Sequence, residues 1–339
     1  MNAPDLQHIL FLDLEPFGSD QSHKKIREMG VVMGDLFLKD SSPKEINDRV
    51  HAYQPEYLCG HNLRHFDYPY LTETALLPTI KDLGVIDTLE LSLLFFSEQT
   101  LHKLPKAYKN NDPNSANDPL EDAKITRQLL VNIIERFNSL SPELQSIYLS
   151  LLANTLPFQP FFKLLDSPFE PISDTKALNT LILSELPGQI QNPDKLHDLI
   201  INHPIELAYI ISVLHGDIDE IRSFPPKLFM DFPGIQERLN AITFNPETEI
   251  DNLEDSALKY FGFDSFRSFP RFKSETDLFA AGEEVSQRDI AQAMLERKDI
   301  LTVLPTGGGK TFTFWLPAII KAIRTRALTV VISPLQALM

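Results

Sequence analysis

Four carboxylates, drawn from three separated segments, stand where a divalent cation would be held. Asp13 and Glu15 interrupt the apolar run Ile9-Leu10-Phe11-Leu12-Asp13-Leu14-Glu15. That run reads as a buried strand, in which side chains alternate, so the two acids share a face. Adjacent carboxylates repel each other and resist desolvation, and a divalent metal turns that cost into a binding site. Asp67 lies in Gly60-His61-Asn62-Leu63-Arg64-His65-Phe66-Asp67-Tyr68-Pro69-Tyr70-Leu71, and Asp122 lies one turn into a helix beginning at Asp118. Four such acids suit two Mg²⁺ or Mn²⁺ ions roughly 4 Å apart, the arrangement that serves phosphodiester hydrolysis.

A second chemistry sits near the other end. Pro305-Thr306-Gly307-Gly308-Gly309-Lys310-Thr311 follows the apolar run Ile300–Leu304 and precedes a helical stretch to about Arg324. Glycines let a backbone wrap a phosphate, successive N–H groups and the helix N-terminus face it, and the lysine reaches the terminal phosphates. The threonine hydroxyl ligates Mg²⁺. This is a P-loop for ATP-Mg²⁺. Weaker features are a basic patch of His102, Lys103, Lys106 and Lys109 with Tyr108, suited to a DNA strand or equally to a solvated helix face. His61 and His65 are either near the metals or structural.

The elements that must position these groups are legible. Ile26–Met33 and Asp35–Lys39 read as strands after the first, and Tyr57–Gly60 as a short one ending at His61-Asn62. Pro69 suits the first turn of a helix. Val85-Ile86-Asp87-Thr88 reads as a strand end, with Asp87 capping the helix that follows. Asp118-Pro119-Leu120-Glu121 has an N-cap acid, proline at the first position and glutamate at the third, so a helix is predicted to about Phe137. Strands first, then mixed strand and helix, predict an α/β domain with an antiparallel start and a parallel continuation. Residues 138–255 read as short helices between proline turns, an all-α connector without ligand or nucleophile spacing. Residues 256–339 carry the P-loop, with Ile300–Leu304 and Leu328–Ser333 predicted as parallel strands of a βαβ unit.

The chain has 339 residues, enough for two or three domains. Its net charge of −16 excludes a global basic field for nucleic acid, so such contacts must come from local cations or bridging metals. A single cysteine excludes an internal disulfide and a cysteine zinc cluster, and suits a reducing cytoplasm. No signal peptide or membrane span is read, and no membrane partner is expected.

Phe-Leu-Asp-Leu-Glu, Gly-His-Asn-x-x-x-Phe-Asp-x-Pro-Tyr-Leu and Glu-Asp-Ala-Lys-Ile-Thr together resemble the three motifs of DEDD-type 3′–5′ exonucleases. The resemblance covers about residues 8–137. It implies an RNase H-like fold for 1–137, with Asp13, Glu15, Asp67 and Asp122 as catalytic metal ligands and Asn62 as the motif-two asparagine at the nucleic acid. It also implies cleavage of DNA at single-stranded 3′ ends. That family carries a histidine or tyrosine general base where this chain has Asn117 and Asp118. Neither matches, which leaves a slow nuclease, altered chemistry or a non-cleaving binding module as alternatives; a missing base typically costs on the order of 10²–10⁴ in rate.

Leu304–Thr311 and Ser333-Pro334-Leu335-Gln336-Ala337-Leu338-Met339 are similar to motifs I and Ia of RecQ-like superfamily-two DNA helicases. Gln287 matches their adenine-reading glutamine. The resemblance implies a RecA-like segment, an ATP site of Gln287, Thr306, Gly307, Gly308, Gly309, Lys310 and Thr311, and DNA contacts at Ser333 and Pro334. Arg267 precedes Gln287 by about twenty residues rather than a few, a departure from the family's arrangement. No Asp-Glu-x-His motif follows, so the sequence predicts the N-terminal part of a longer helicase/nuclease for DNA repair, recombination or defence. Helicase and ATPase activity are expected only of the longer protein. Apolar faces past about residue 285 are expected to be exposed.

Overall fold

The computed structural model describes residues 5–17, 25–40, 42–99, 101–104, 118–165, 168–215, 223–270 and 284–332. The chain divides into two compact units, residues 1–185 with 200–213, and residues 186–199 with 214–339. Helices of the 138–255 stretch contribute to both.

The first unit is built on a five-stranded mixed sheet. Its strands are β1 (Ile9–Pro16), β2 (Ile26–Met33), β3 (Leu36–Asp40), β4 (Tyr57–Gly60) and β5 (Gly84–Asp87), in the order β3-β2-β1-β4-β5. β1 pairs antiparallel with β2, and β2 with β3; β1 pairs parallel with β4, and β4 with β5. The predicted antiparallel start and parallel continuation are thus present. Between the strands lie α1 (Pro43–Val50), α2 (Asp67–Leu71) and α3 (Leu77–Ile80), and after β5 come α4 (Thr88–Phe95) and α5 (Pro119–Asn138). Alternation puts Leu10, Leu12 and Leu14 of β1 with Met29, Val31 and Met33 of β2 into one core, shared with Ile46, Leu63, Leu71 and Ile80. The opposite face of β1 carries Ile9, Phe11, Asp13 and Glu15, and α5 packs on this sheet. Ile9 to Leu12 are fully buried because both faces are covered.

Local chemistry sets the helix starts. Asp118 Oδ1 accepts from Leu120 N at 3.0 Å and Pro119 takes the first position of α5, as the sequence predicts. Asp87 caps α4 in the same way, with Oδ1 3.0 Å from Leu89 N. Further helices follow: α6 (Pro142–Leu152), α7 (Gln159–Leu165), α8 (Thr175–Glu185), α9 (Pro193–Asn202) and α10 (Pro204–Leu214). No helix among the described residues is long and apolar enough to cross a membrane.

The second unit contains α11 (Pro226–Asp231), α12 (Ile235–Thr243), α13 (Pro246–Asp251), α14 (Leu253–Phe261), the antiparallel ribbon of β6 (Ser268–Pro270) and β7 (Glu284–Ser286), α15 (Gln287–Leu295) and α16 (Lys310–Thr325). Its core joins Leu253, Ala257, Ala291, Leu295, Phe312, Leu316 and Ile320. One expectation is corrected here. Ile300–Leu304 and Leu328–Ile332 are irregular rather than strands, and Leu301 is 95% and Ile332 90% exposed. A β-branched run becomes a strand only when a neighbour takes its backbone N–H and C=O groups. Among the described residues neither segment has one. Trp315, Val303 and Leu328 are exposed as well, in line with the expected apolar faces.

Candidate functional site

The acidic cluster lies where β1 meets the start of α5. Carboxylate oxygens of Asp13, Glu15 and Asp122 all lie within 4.8 Å of one another, an arrangement able to hold a metal ion. Asp13 and Glu15 reach it from one face of β1. A shift of register follows Glu15, where β1 loosens from β2. Asp122 arrives on α5, and a glycine lets it. Gly30 is the β2 partner of Asp13. A Cβ at Gly30 would stand 2.1 Å from the Pro119 carbonyl and 2.2 Å from Leu120 N, so only glycine lets α5 start directly on the sheet. Gly30 is absent from the sequence-derived set of site residues; a lone glycine inside the apolar strand Met29-Gly30-Val31 is the signal that marks such an approach.

Asp67, the fourth acid, is the first residue of α2 and only 1% exposed. It is not within the three-carboxylate group, yet it is close enough for Asp13 to act on it. Burial, then the Asp13 charge, pushes the Asp67 carboxyl well above the usual carboxylate range, against partial relief from backbone N–H groups of Leu14 and Asp67 itself. Its Oδ1 is buried without a hydrogen-bond partner among the described residues. Asp13 behaves alike: burial first, then Asp122 and Glu15, raise its pKa to about 8. Without a cation, this cluster does not carry its full negative charge at neutral pH.

The remaining residues of the first unit separate into near and far. Asn62 adopts a left-handed backbone, φ 60°, in the loop leading to Asp67. His61 is half-buried and faces the first residue of α4: its Nδ1 lies 3.0 Å from Thr88 Oγ1, and burial lowers its pKa. His65 is exposed. The basic patch needs correction. His102 is buried, with Nδ1 2.8 Å from Ser92 Oγ, so it belongs to the interior rather than to a solvated face. Lys103 is exposed on irregular backbone, and Lys106, Tyr108 and Lys109 lie outside the described residues. So does Asn117. Asp118, beside it, is engaged as the α5 cap and lies 3.4 Å from Lys39 Nζ.

In the second unit, Gly309 caps α16 with φ 72° and Gly307 has φ 74°, backbone that L side chains rarely adopt. Lys310 and Thr311 open the helix and are exposed, as are Thr306 and Gly307. Gln287, 5% exposed, donates from Nε2 to Gly308 O at 2.9 Å. A Cβ at Gly309 would meet that nitrogen at 2.3 Å. Arg267 reaches the same loop. Its N donates to Gln287 Oε1 at 3.1 Å and its Nη1 to Gly307 O at 3.0 Å. The β6–β7 ribbon closes the twenty-residue gap between Arg267 and Gln287 and sets them side by side. Ser333 and Pro334 lie outside the described residues.

Comparison with known proteins bears on this second unit. A DEAD/DEAH box helicase family model matches residues 284–339, which include Gln287 and the P-loop but not the acidic cluster. The ATP-dependent DNA helicase RecQ of Synechocystis is 38% identical over 88 residues, 26% of this chain and 14% of that protein. The ATP-dependent helicase SGS1 of Saccharomyces cerevisiae is 43% identical over 58 residues, 17% of this chain and 4% of that protein. The ATP-dependent DNA helicase hus2/rqh1 of Schizosaccharomyces pombe is 41% identical over 58 residues, again 17% of this chain and 4% of that protein. The chain therefore spans a small fraction of the curated relatives it matches. No solved structure matches it. The C-terminal end carries part of a DEAD/DEAH box helicase domain with RecQ-family homologues, and that domain implies a RecA-like fold.

Proposed function

We propose that residues 1–137 form a metal-dependent 3′–5′ exonuclease domain of RNase H-like fold, followed by a helical connector over 138–255 and the start of a RecQ-like motor over 256–339. The observation that carries this reading is the convergence of Asp13, Glu15 and Asp122 within 4.8 Å, drawn from a strand and a helix. The buried, unpartnered Oδ1 of Asp67 suits the same cations. Two bound Mg²⁺ or Mn²⁺ ions would activate a water and stabilise the leaving oxygen of a phosphodiester. The residues of the chain contribute the rest. Asp13, Glu15, Asp67 and Asp122 would hold the ions. The close approach of α5 at Gly30 sets where Asp122 stands. Cations at the cluster also let a chain of net charge −16 accept a polyanion.

In the second unit, Gly307, Gly308, Gly309 and Thr306 would wrap the phosphates of ATP, Lys310 would reach them, and Thr311 would ligate Mg²⁺. Gln287 would read the adenine. A complete RecQ-like motor would unwind DNA or feed it to the nuclease, whose substrate would be single-stranded 3′ ends.

The test is the full chain with end-labelled single-stranded DNA and RNA in Mg²⁺ or Mn²⁺. Shortening from the 3′ end, abolished by Asp13→Ala, is expected. DNA left intact in both metals overturns the enzyme reading. One observation favours a second reading, a binding module that does not cleave: Asp118, at a base position, is already a helix cap paired with Lys39. That reading predicts metal-dependent DNA binding without shortening, and gain of cleavage in Asn117→His.

A further inference from the structure

We infer that Asp87 is the positioning residue for Asp67: its buried carboxylate fixes the loop that delivers Asp67 to the acidic cluster. Asp87 is 1% exposed. Its Oδ1 accepts from Leu89 N at 3.0 Å, which is the ordinary bond of a helix cap. The same oxygen accepts from Asn62 N at 2.9 Å, and Oδ2 accepts from Arg64 N at 3.1 Å. Those two bonds reach back 25 and 23 residues into the segment between β4 and α2. A cap needs only the first bond. The other two tie down a loop.

The loop needs tying. Asn62 holds φ 60°, a left-handed backbone that asparagine adopts more readily than most side chains but that still disfavours any Cβ relative to glycine, and its N–H is one of the two loop groups that Asp87 captures. The N-cap of α2, Phe66, makes no side-chain cap bond, so the start of the helix depends on the loop before it. Phe66 N donates to Asn62 O at 3.0 Å and Tyr68 N to Leu63 O at 2.8 Å, which hands the orientation of Asn62-Leu63 to the turn bearing Asp67. Thr88 secures the other end. Its Oγ1 donates to Gly60 O at 3.2 Å and faces His61 Nδ1. Asp87 and Thr88 together therefore clamp Gly60 to Arg64 onto the first turn of α4. Partners that orient a metal ligand in this way typically change metal affinity by about 10–100-fold when lost.

This inference rests on the metal reading of the cluster, and its test separates the two. Mn²⁺ binding to the full chain is measured by calorimetry or by the loss of free-ion EPR signal, beside thermal unfolding. Asp87→Asn keeps the size and the cap of α4 but has one acceptor oxygen for two loop N–H groups. Expected is Mn²⁺ affinity lower by about 10–100-fold with unfolding temperature little changed. Adding Asn62→Gly, which adopts the left-handed backbone without help, restores part of that affinity. If Asp87→Asn does not fold, Asp87→Ser, which keeps a cap and drops the loop bonds, is read the same way. Wild-type Mn²⁺ affinity in the variant, with Asp13→Ala abolishing binding, overturns the role of Asp87 and leaves the metal reading standing. No Mn²⁺ binding by the wild-type chain overturns both. Where cleavage is measurable, kcat falls in Asp87→Asn while KM for DNA stays; an unchanged kcat counts against the inference.

Discussion

Replacing Gly30 by alanine drives a methyl group into the first turn of α5. The Cβ would stand 2.1 Å from the Pro119 carbonyl, and ordinary contact begins at 3.4 Å, so the start of α5 must retreat by about 1.3 Å. The obstacle is backbone at a proline, which no rotamer change removes. Overpacking of this kind costs about 1–3 kcal/mol of stability. The retreat carries Asp122 away from Asp13 and Glu15. A misplacement near 1 Å at a reacting centre costs on the order of 10²-fold in rate. The expected outcome for Gly30→Ala is a folded protein with lower unfolding temperature, weaker Mn²⁺ binding and nuclease activity down by about that factor. Gly84→Ala is the control. Its Cβ meets the Tyr57 and Pro160 side chains, at 2.8 and 3.1 Å, rather than the backbone that carries an acid. It is expected to lose stability without losing metal affinity. A Gly30→Ala protein that folds and binds Mn²⁺ as the wild type does refutes the argument that this glycine sets Asp122.

Two further outcomes follow from the same groups. The metal-free protein should lose stability as pH rises from about 4 to about 8. Burial and the neighbouring acids raise the Asp13 carboxyl from its ordinary 3.8 to about 8 in the folded state, which therefore holds a proton that the unfolded chain has released. The stability this proton confers is full below the unfolded value and is lost as pH approaches the folded one, at no more than about 1.4 kcal/mol per pH unit for one group. Mg²⁺ or Mn²⁺ should flatten the decline, and so should Asp13→Asn; unfolding temperatures across pH 5–8 decide it, and a metal-free protein that gains stability over that range contradicts it. In the second unit, Lys310→Ala should abolish binding of a fluorescent ATP analogue while leaving Mn²⁺ binding at the acidic cluster unchanged; retained nucleotide binding contradicts the P-loop assignment.

Features set within a few residues were legible in the sequence. The start of α5 follows from Asp118 and Pro119, whose side chain and ring act on the next turn, and the shared face of Asp13 and Glu15 follows from strand alternation alone. What depended on distant segments was not. His102 sits among lysines in the sequence and in the interior of the fold, because Ser92, ten residues back, supplies its partner. Ile300–Leu304 has strand composition, but composition supplies no neighbour for its backbone. Gly30 and Pro119 are 89 positions apart, and the lone glycine in its strand marks a close approach without naming the partner.

Arg267 and Gln287 show the converse, a separation in sequence that the fold cancels. A separation of twenty positions argues against a shared site. The β6–β7 ribbon begins immediately after Arg267 and ends immediately before Gln287, with Ser268 paired to Ser286. A hairpin returns its ends to neighbouring positions whatever the length of its loop, and the entropic cost of extra loop residues grows only slowly. The pair is therefore set by the register of the ribbon, not by the count of residues within it. Backbone bonds at the ribbon base agree: Gln287 N donates to Arg267 O at 2.9 Å while Arg267 N donates to the Gln287 side chain. An insertion in this position lengthens the chain without moving either residue from the P-loop carbonyls they contact.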